Sequence, residues 1–532
     1  MADTKREIER KYELPERPKG GDQPGLPDLH GVKGVSAVAG RGVVELDAVY
    51  YDTADLRLSA GSLALRRREG GADEGWHLKF PVSTGIRDEI QAPLADTVPD
   101  ELSGLLRSHI RDAELVPVVR LMSSRDISEL LDAKGALLAE VSVDTVRAER
   151  LTADPATTSW TEVEVELADD ADPALLDAVE KKLRKAGLRP ASWDSKLGRA
   201  LGARPSGRSD GAEPNTKPKP NTKNTKNTKN TNTKRAEPAT AGDHVLAYLR
   251  AQADAIVTQD PAVRRDLPDS VHQMRVACRR MRSAFRTYRK VLDRSATDPI
   301  AEELKWLASE LGVSRDHEVL NRRLRGEVDA VPETELLGPV RARLQIWDAA
   351  LRAEARSRTL AVLDSERYLA LLNTLDALLA DPPLRPAAGG PAAKVLPKAI
   401  LKDYDRLAAR VELALSLPPG RDRDLALHDA RKAAKRVRYA AEAARPALGK
   451  PAKRFAKRTK AVQNVLGDHQ DSVVARETLR TLAVKAHAAG ESAFTWGLLY
   501  GREEARGARR ERELPEVWAR VAAGKWRAAL TG

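Results

Sequence analysis

Glu7, Glu9 and Lys11 occupy every second position of a short charged segment. If that segment is a strand, a period of two puts all three side chains on one face. The same spacing recurs farther on. Arg66 and Arg68 share a face, Lys79 follows Trp76 and Leu78, and Arg87 alternates with Glu89. Glu162, Glu164 and Glu166 alternate with Val163, Val165 and Leu167. On a single strand of a sandwich such a face would simply meet water. Repeated on nearly every strand with both signs mixed, it points to a closed barrel whose polar lumen gathers the charges into one tunnel. Arg and Lys clamp phosphoryl groups, Arg bidentately. Carboxylates cannot touch those phosphates directly, so their presence implies a divalent metal held by one or two carboxylates, phosphate oxygens and water. The metal would neutralise charge and orient or activate an attacking water. Phosphoryl transfer needs mainly such positioning and electrostatics.

A second constellation lies in the other half of the chain. His272, Arg275, Arg279, Arg280 and Arg282 recur, 156 residues on, as His428, Arg431, Lys435, Arg436 and Arg438. Leu311-Gly312 with Asp316 recurs 155 residues on as Leu466-Gly467 with Asp471. Two motifs returning in order at nearly one offset indicate an internal duplication. At helical spacing His272, Arg275, Arg279, Arg282 and Arg286 fall within an arc of roughly 80°. Met274, Ala277, Met281, Ala284 and Phe285 take the opposite side. Solvated helix faces usually mix signs in i,i+4 pairs, whereas neither stripe carries an acid between its first and last arginine. Successive stripe members rise by about 5 Å, a ladder suited to a polymer with one charge per unit. Asp316 and Asp471 are expected to orient the basic side chains or cap helices. The lysines at 394, 398 and 402, and the cluster Lys453, Arg454, Lys457, Arg458 and Lys460, read as solvated faces that could extend the surface.

These groups need two different scaffolds. Arg41–Tyr51, Ser62–Arg68, Trp76–Phe80, Ile86–Ala92, Val118–Ser123, Ala136–Asp144 and Trp160–Leu167 read as strands. Helical windows fall near 101–107 and 173–187. That predicts an α+β antiparallel barrel over residues 1–203. Residues 204–240 carry Asn-Thr-Lys repeats among Pro and Lys, a composition that cannot bury a core and is expected to be a flexible linker. From 241 to 528 the chain is rich in Ala, Leu, Arg and Glu at helical spacing, with prolines at 268, 332, 382, 383, 386 and 418 as punctuation. An all-α bundle of two related halves, about 241–390 and 391–528, is expected there.

The chain of 532 residues is 32% charged, with one cysteine and a net charge of +12. No apolar run is long enough to span a bilayer, the first residues lack a signal-peptide core, and no disulfide framework can form. A cytoplasmic location is expected. Aromatic residues make up only 4%, which, with no groove-reading motif, disfavours nucleic acid as a partner.

Glu7-Ile8-Glu9-Arg10-Lys11 resembles the ExExK motif of the CYTH, or triphosphate tunnel metalloenzyme, family. Tyr51-Asp52-Thr53, Leu65-Arg66-Arg67-Arg68, Trp76-His77-Leu78-Lys79, Arg87-Asp88-Glu89 and Ser195-Lys196-Leu197 match in the same order. The resemblance implies an eight-stranded tunnel that hydrolyses triphosphates with Mg2+ or Mn2+. It implies Glu7, Glu9, Glu164 and Glu166, with Asp144, as metal ligands, and Glu7, Glu9 and Lys11 as the catalytic set. It also implies Lys11, Arg66, Arg68, Lys79, Arg87, Arg125 and Lys196 as triphosphate contacts, with Glu89 in the lumen. Gln91 departs from the alternation by being uncharged. The two His-x-x-Arg helices and the two Leu-Gly…Asp segments resemble the CHAD family of conserved-histidine α-helical domains, which implies binding of inorganic polyphosphate and no catalysis in this half. The expectation is therefore a metal-dependent inorganic triphosphatase joined to a polyphosphate-binding domain. The alternative is a non-catalytic polyphosphate-binding or granule-associated scaffold, in which the two Glu pairs of the tunnel would have no use.

Overall fold

Eight long strands carry the first half: β1 (Asp3–Glu13), β2 (Ala37–Asp52), β3 (Ala64–Glu69), β4 (Gly75–Ser83), β5 (Ile86–Ala92), β6 (Val116–Leu131), β7 (Leu137–Arg150) and β8 (Thr157–Leu167). The structure is a computed structural model that describes residues 3–14, 26–152, 154–202 and 240–531. The expected linker therefore lies outside the described residues, apart from Thr240. The chain divides into two compact units, Met1–Lys226 and Asn227–Gly532.

The strands pair antiparallel in the order β5-β4-β3-β2-β6-β7-β8-β1, and β1 pairs back onto β5 to close the barrel. β1 makes that closure by splitting its partners. Its first part lies against β5, with Glu7 opposite Arg87, and its second part against β8, with Lys11 opposite Glu164. A two-residue strand, Arg189–Pro190, adds to the end of β1. β6 runs on to Leu131 and β7 to Arg150, beyond the expected segments. Polar residues such as Ser128 and Glu129 in their extensions still pair across the ladder.

The barrel is inside-out relative to a small globular protein. Its outward face is apolar and is covered by helices. Val141, Val163 and Val165 pack with Leu176, Val179 and Leu183 of the helix Ala174–Lys185. Leu65, Leu78 and Ile90 pack with Leu102 and Leu106 of the helix Asp100–Ile110. Burial of a side chain of this size contributes about 1.5–3 kcal/mol, so these outer clusters let the lumen stay polar. At one end the inward positions become apolar. There the short helix Lys196–Leu201 sets Leu197 and Ala200 among Tyr50, Val119, Leu121, Val146 and Trp160.

Tyr51-Asp52-Thr53 turns out to be a backbone device. Asp52 is fully buried and accepts from the backbone N–H groups of Thr53, Leu58 and Ser59 at 2.7, 2.8 and 2.9 Å. It thereby fixes the turn after β2. Gly70 holds the β3–β4 turn at φ 81°, where an added Cβ would sit 2.4 Å from the Glu45 carbonyl oxygen.

From Thr240 on, the described residues of the second unit are mostly helical. Its helices are Ala241–Arg264, Ser270–Thr287, Arg294–Glu310, Gly312–Asp329, Val340–Leu363, Glu366–Ala380, Ala392–Ser416, Arg421–Ala443, Lys450–Ala488, Phe494–Ala522 and Gly524–Thr531, with short turns between them. Thr240 opens the first with a reciprocal capping box to Asp243, an arrangement worth roughly 0.5–2 kcal/mol. The main core draws on both halves of the repeat: Met274, Met281 and Phe285 share it with Ala433 and Val437. The apolar side expected for the first cationic helix is buried throughout.

Candidate functional site

Period two and the barrel register bring Glu7, Glu9, Lys11, Arg66, Arg68, Lys79, Arg87, Arg125, Glu164, Glu166 and Lys196 around one cavity of about 350 Å³. Two carboxylate groupings stand out: Glu7, Glu89 and Glu164 line the cavity, whereas Asp144 and Glu162 are buried beside Glu164 and are not part of the lining.

The first is built by β7 and β8. Asp144 pairs with Glu162 across the ladder, and Glu164 lies one alternation farther. Oxygens of these three carboxylates lie within 4.8 Å of one another. Arg125 holds Asp144 bidentately at 2.7 Å and reaches Glu164 at 2.9 Å. Lys196 enters from the first turn of its helix, whose N-cap Ser195 accepts from Gly198 N–H at 3.0 Å. Its Nζ lies 2.8, 2.9 and 2.6 Å from Asp144, Glu162 and Glu164. Lys11 bonds Glu164 and lies 3.2 Å from Glu9. Burial pushes Glu164 upward, but Lys11, Lys196 and Arg125 outweigh it and hold its pKa well below the usual range. Asp144 is held low in the same way, burial being opposed chiefly by Lys196.

The second grouping is Glu7 with Glu89. Lys79 Nζ donates to both oxygens of Glu7 at 2.8 and 2.7 Å and lies 3.4 Å from Glu89. Arg66 reaches Glu89 at 3.4 Å, and His77 Nδ1 sits 2.9 Å from it. Burial raises the Glu7 carboxyl to about 7 against the pull of Lys79, with Glu89 adding to the rise. Glu89 stays low because Lys79, His77 and Arg66 outweigh its burial.

The remaining expected positions are accounted for individually. Glu9 is buried and lies 3.9 Å from Arg87, whose guanidinium also donates to the Asp194 carbonyl at 2.5 Å. Arg68 is buried and pairs with Asp73 in the β3–β4 turn. Glu166 stands apart from the triple carboxylate group, bonded to Lys5 at 2.6 Å. Gln91 donates to Glu89 at 3.0 Å, so the uncharged residue supports a carboxylate. Glu162, Tyr50 and His77 were missed as site residues. Glu162 was visible in the alternation, but nothing in the order of residues says which of three glutamates meets Asp144.

In the helical unit the two stripes lie on Ser270–Thr287 and Arg421–Ala443. Arg275 donates to Asp316 at 2.9 Å and to the Gly312 carbonyl at 3.3 Å. Arg431 lies 3.7 Å from Asp471. A Cβ on Gly312 would come within 2.9 Å of the Arg275 guanidinium, and one on Gly467 within 3.6 Å of Arg431. The repeated Leu-Gly-x-x-x-Asp segment is thus an arginine seat: the glycine leaves room and the aspartate clamps. His428 Nδ1 donates to Gln470 at 2.6 Å. His272 sits beside Arg315, and burial and that cation hold its pKa below the usual histidine value. Burial, then Arg431, Arg279 and Arg275, push the Lys435 ammonium down to about 7, so members of both stripes meet electrostatically at this residue. Arg280 and Arg438 share Glu442 at 3.3 and 3.1 Å. Arg436 lies 3.9 Å from Asp403. Burial and Arg286 disfavour the charge on Arg282.

The CYTH domain profile matches residues 5–196 and the CHAD domain profile residues 247–480. Two relatives from Mycobacterium tuberculosis, the uncharacterized proteins MT2285 and Rv2226, are each 37% identical over 512 residues, 93% of this chain and 92% of theirs. Among solved structures, the CHAD domain from the plant Ricinus communis is 28% identical and covers 54% of this chain and 93% of its own, with a TM-score of 0.43. A Hippeastrum protein, HpAC1, described as a putative adenylyl cyclase with a dominant triphosphatase activity, is 18% identical and covers 38% of this chain and 98% of its own, with a TM-score of 0.23. No helix among the described residues is long and apolar enough to cross a membrane. With 93% of its length aligned to two such relatives and both domain profiles matched in order, the chain belongs to the family of proteins in which a CYTH tunnel domain precedes a CHAD domain.

Proposed function

We propose that the tunnel hydrolyses inorganic triphosphate or short polyphosphate with a divalent metal, Mg2+ or Mn2+, and that the helical unit binds inorganic polyphosphate. The observation that carries the first half is the meeting of eight Lys and Arg side chains with the carboxylates of Glu7, Glu9, Glu89, Glu164 and Glu166 around one cavity, with Asp144 and Glu162 close beside Glu164. A pure anion binder gains nothing from buried carboxylates that repel its ligand. The donor set fits a hard divalent ion: Asp144, Glu162 and Glu164 present oxygens within 4.8 Å of one another, with Glu7 and Glu9 on the neighbouring strand. Such an ion, when bound, supplies charge neutralisation and a polarised water.

The chain's own residues do the rest. Lys11, Arg125 and Lys196 now neutralise Glu164 and Asp144. Asp144, Glu162 and Glu164 would hold the metal, and Lys11, Arg125 and Lys196 are the cations placed to bind phosphate oxygens beside it. Arg66, Lys79 and Arg87 then hold the other end of the substrate, and Arg68 steadies the wall through Asp73. The substrate completes a charge balance that internal ion pairs keep in its absence, so the tunnel is held in shape before binding. The test is phosphate release from inorganic triphosphate, with ATP in parallel, with Mg2+ or Mn2+ and with chelator. Metal-dependent release from triphosphate over ATP is expected. No release from any triphosphate or short polyphosphate would sink the hydrolase reading and leave the scaffold role.

For the helical unit, the supporting observation is that Arg275, Arg279, Arg431 and Lys435 crowd together, with Asp316 and Asp471 as the carboxylates beside them among the described residues. Arg280 and Arg438 are tied to Glu442, and Arg282 and Arg436 flank the crowd, so we assign these, with His272 and His428, to the rim of the same surface. A polyanion would relieve the repulsion. Because Lys435 has a folded pKa near 7, below its unfolded value, the free protein binds fewer protons than the unfolded chain between about pH 7 and 10. Stability of the free protein therefore rises with pH across that window. A bound polyanion favours the charged ammonium, so polyphosphate affinity should rise as pH falls from 8 to 6, with proton uptake. Lys435→Arg should flatten that profile, as binding titrations at the two pH values would show. Gly312→Ala should weaken long-chain binding several-fold by unseating Arg275, with the helical circular dichroism unchanged.

A further inference from the structure

The lumen of the barrel has two unlike ends. At one, Leu197 and Ala200 pack with Tyr50, Val119, Val146 and Trp160 and occupy the barrel. The strand register sets the other end where β1 begins, with Asp3 opposite Gln91, and where β8 finishes, with Leu167 opposite Ala139. There β7 pairs Glu140 with Glu166 of β8 on one side and with Glu129 of β6 on the other. Val44, Leu46, Ile127 and Leu137 line the cavity at this mouth together with Glu140 and Glu166. Lys11 and Lys196 lie toward the occupied end, so the cations that can clamp a phosphate are deep and the mouth is acidic and aliphatic.

Three acids near the mouth are answered. Lys5 donates to Glu166 at 2.6 Å, Arg41 donates to Glu129 at 2.6 Å, and Arg68 pairs with Asp73 in the β3–β4 turn. The half-buried carboxylate of Glu140 makes no hydrogen bond or ion pair among the described residues. Arg125, whose charge reaches it, is bonded to Asp144 and Glu164 instead. An anion tunnel thus opens past an unanswered carboxylate and four aliphatic side chains that offer no donor. Phosphoryl oxygens that shed water there gain no hydrogen bond in return. Glu140 stands four residues from Asp144 on β7, about 13 Å along the strand. That length suits an extended triphosphate seated on the inner cations, and a longer chain would project into the mouth.

We infer that the mouth is a length filter: Glu140, with Glu166 beside it and the ring of Val44, Leu46, Ile127 and Leu137, turns away any condensed phosphate that projects beyond the inner cations. The tunnel is thereby confined to anions the size of triphosphate. This rests on the reading of the tunnel as a triphosphate site and adds the residues that set its upper limit. Glu140 touches neither the inner cations nor the triple carboxylate group, so its role is to select and not to react. Like charge placed against the wrong ligand is a common source of specificity, because it costs the excluded species and leaves the accepted one alone.

Occupancy of the tunnel can be read without turnover. The full chain is treated with phenylglyoxal in chelator, alone, with inorganic triphosphate or with long-chain polyphosphate, and modification of the lumen residue Arg87 is followed by peptide mass spectrometry. Triphosphate at about four times its dissociation constant should slow that modification about fivefold, by mass action, and the long chain should leave it unchanged. Arg275 and Arg431, read in the same digests, report the helical unit, so chain bound there is not mistaken for chain in the tunnel. In Glu140→Gln the amount of long chain needed to protect Arg87 should fall about tenfold, low in the range that charge at a cleft exerts on capture of a charged ligand. Protection by triphosphate should stay as it was. Leu137→Lys, which puts a cation at the exposed rim, should admit the long chain independently. Equal protection by both anions in the unaltered chain, protection by neither, or continued exclusion of the long chain in both variants would overturn the inference. Protection by triphosphate without metal-dependent hydrolysis would end the hydrolase reading and leave the filter standing.

Discussion

Glu164→Gln is expected to lower metal-dependent phosphate release by about 10²–10³-fold, the loss typical when one preorganised electrostatic group of a reacting centre is removed. Glu164 is the carboxylate on which the tunnel converges: Lys11, Arg125 and Lys196 all touch it. The amide keeps its shape and removes its charge. Binding in the absence of metal should move the other way. Three cations lose the partner that now occupies them, so metal-free triphosphate should bind about tenfold more tightly, or about 1.4 kcal/mol. Phosphate release and calorimetric titration in chelator read the two effects separately. A variant that binds more tightly and hydrolyses less is what an acid–base tunnel with a metal-holding carboxylate requires. Hydrolysis at the unaltered rate would remove the Asp144–Glu162–Glu164 group from the chemistry. Loss of both activities would indicate that Glu164 mainly holds the cations in place.

The contrast between Glu164 and its neighbours shows where sequence reasoning runs out. Alternation of Glu162, Glu164 and Glu166 with valines and a leucine is enough to place all three on one face of a strand, and it does. Which of them meets Asp144 depends on the β7–β8 register, where Asp144 stands opposite Glu162 and Glu140 opposite Glu166. That register is set by long-range pairing, which a local period cannot report. Lys196 was legible only through the resemblance, because it comes from a short helix after β8 and not from the alternating pattern of any strand. Glu7 shows the same limit: its partner Lys79 becomes a neighbour only when β1 closes onto β5. In the helical unit the repeat itself was plain, since the cationic spacing and the apolar side of the first helix are local properties. The reason for its glycine was not. Only packing shows that Gly312 clears space for a guanidinium supplied from 37 residues earlier.

The double replacement Arg275→Glu with Arg431→Glu should nearly abolish binding of long-chain polyphosphate. Each arginine offers charge-assisted bonds of about 1.5–3 kcal/mol, so losing both weakens binding by roughly 10²–10⁴-fold, and the introduced carboxylates add repulsion. Triphosphate hydrolysis in the tunnel should be unchanged, because neither residue belongs to that unit. Salt gives an independent reading. Binding carried by many phosphate contacts weakens steeply as salt rises, since each contact releases a counterion. The double variant should show a shallower slope as well as a weaker midpoint. A charge reversal at a seat also costs the partner its mate: Asp316 and Asp471 would each face a glutamate, so some loss of melting temperature is expected. Arg275→Gln with Arg431→Gln removes the charge without that repulsion, and it should weaken binding with a smaller stability change. If the glutamine pair binds long chains as the unaltered protein does, the two stripes are solvated faces that happen to repeat, and the arginine seats serve the fold alone.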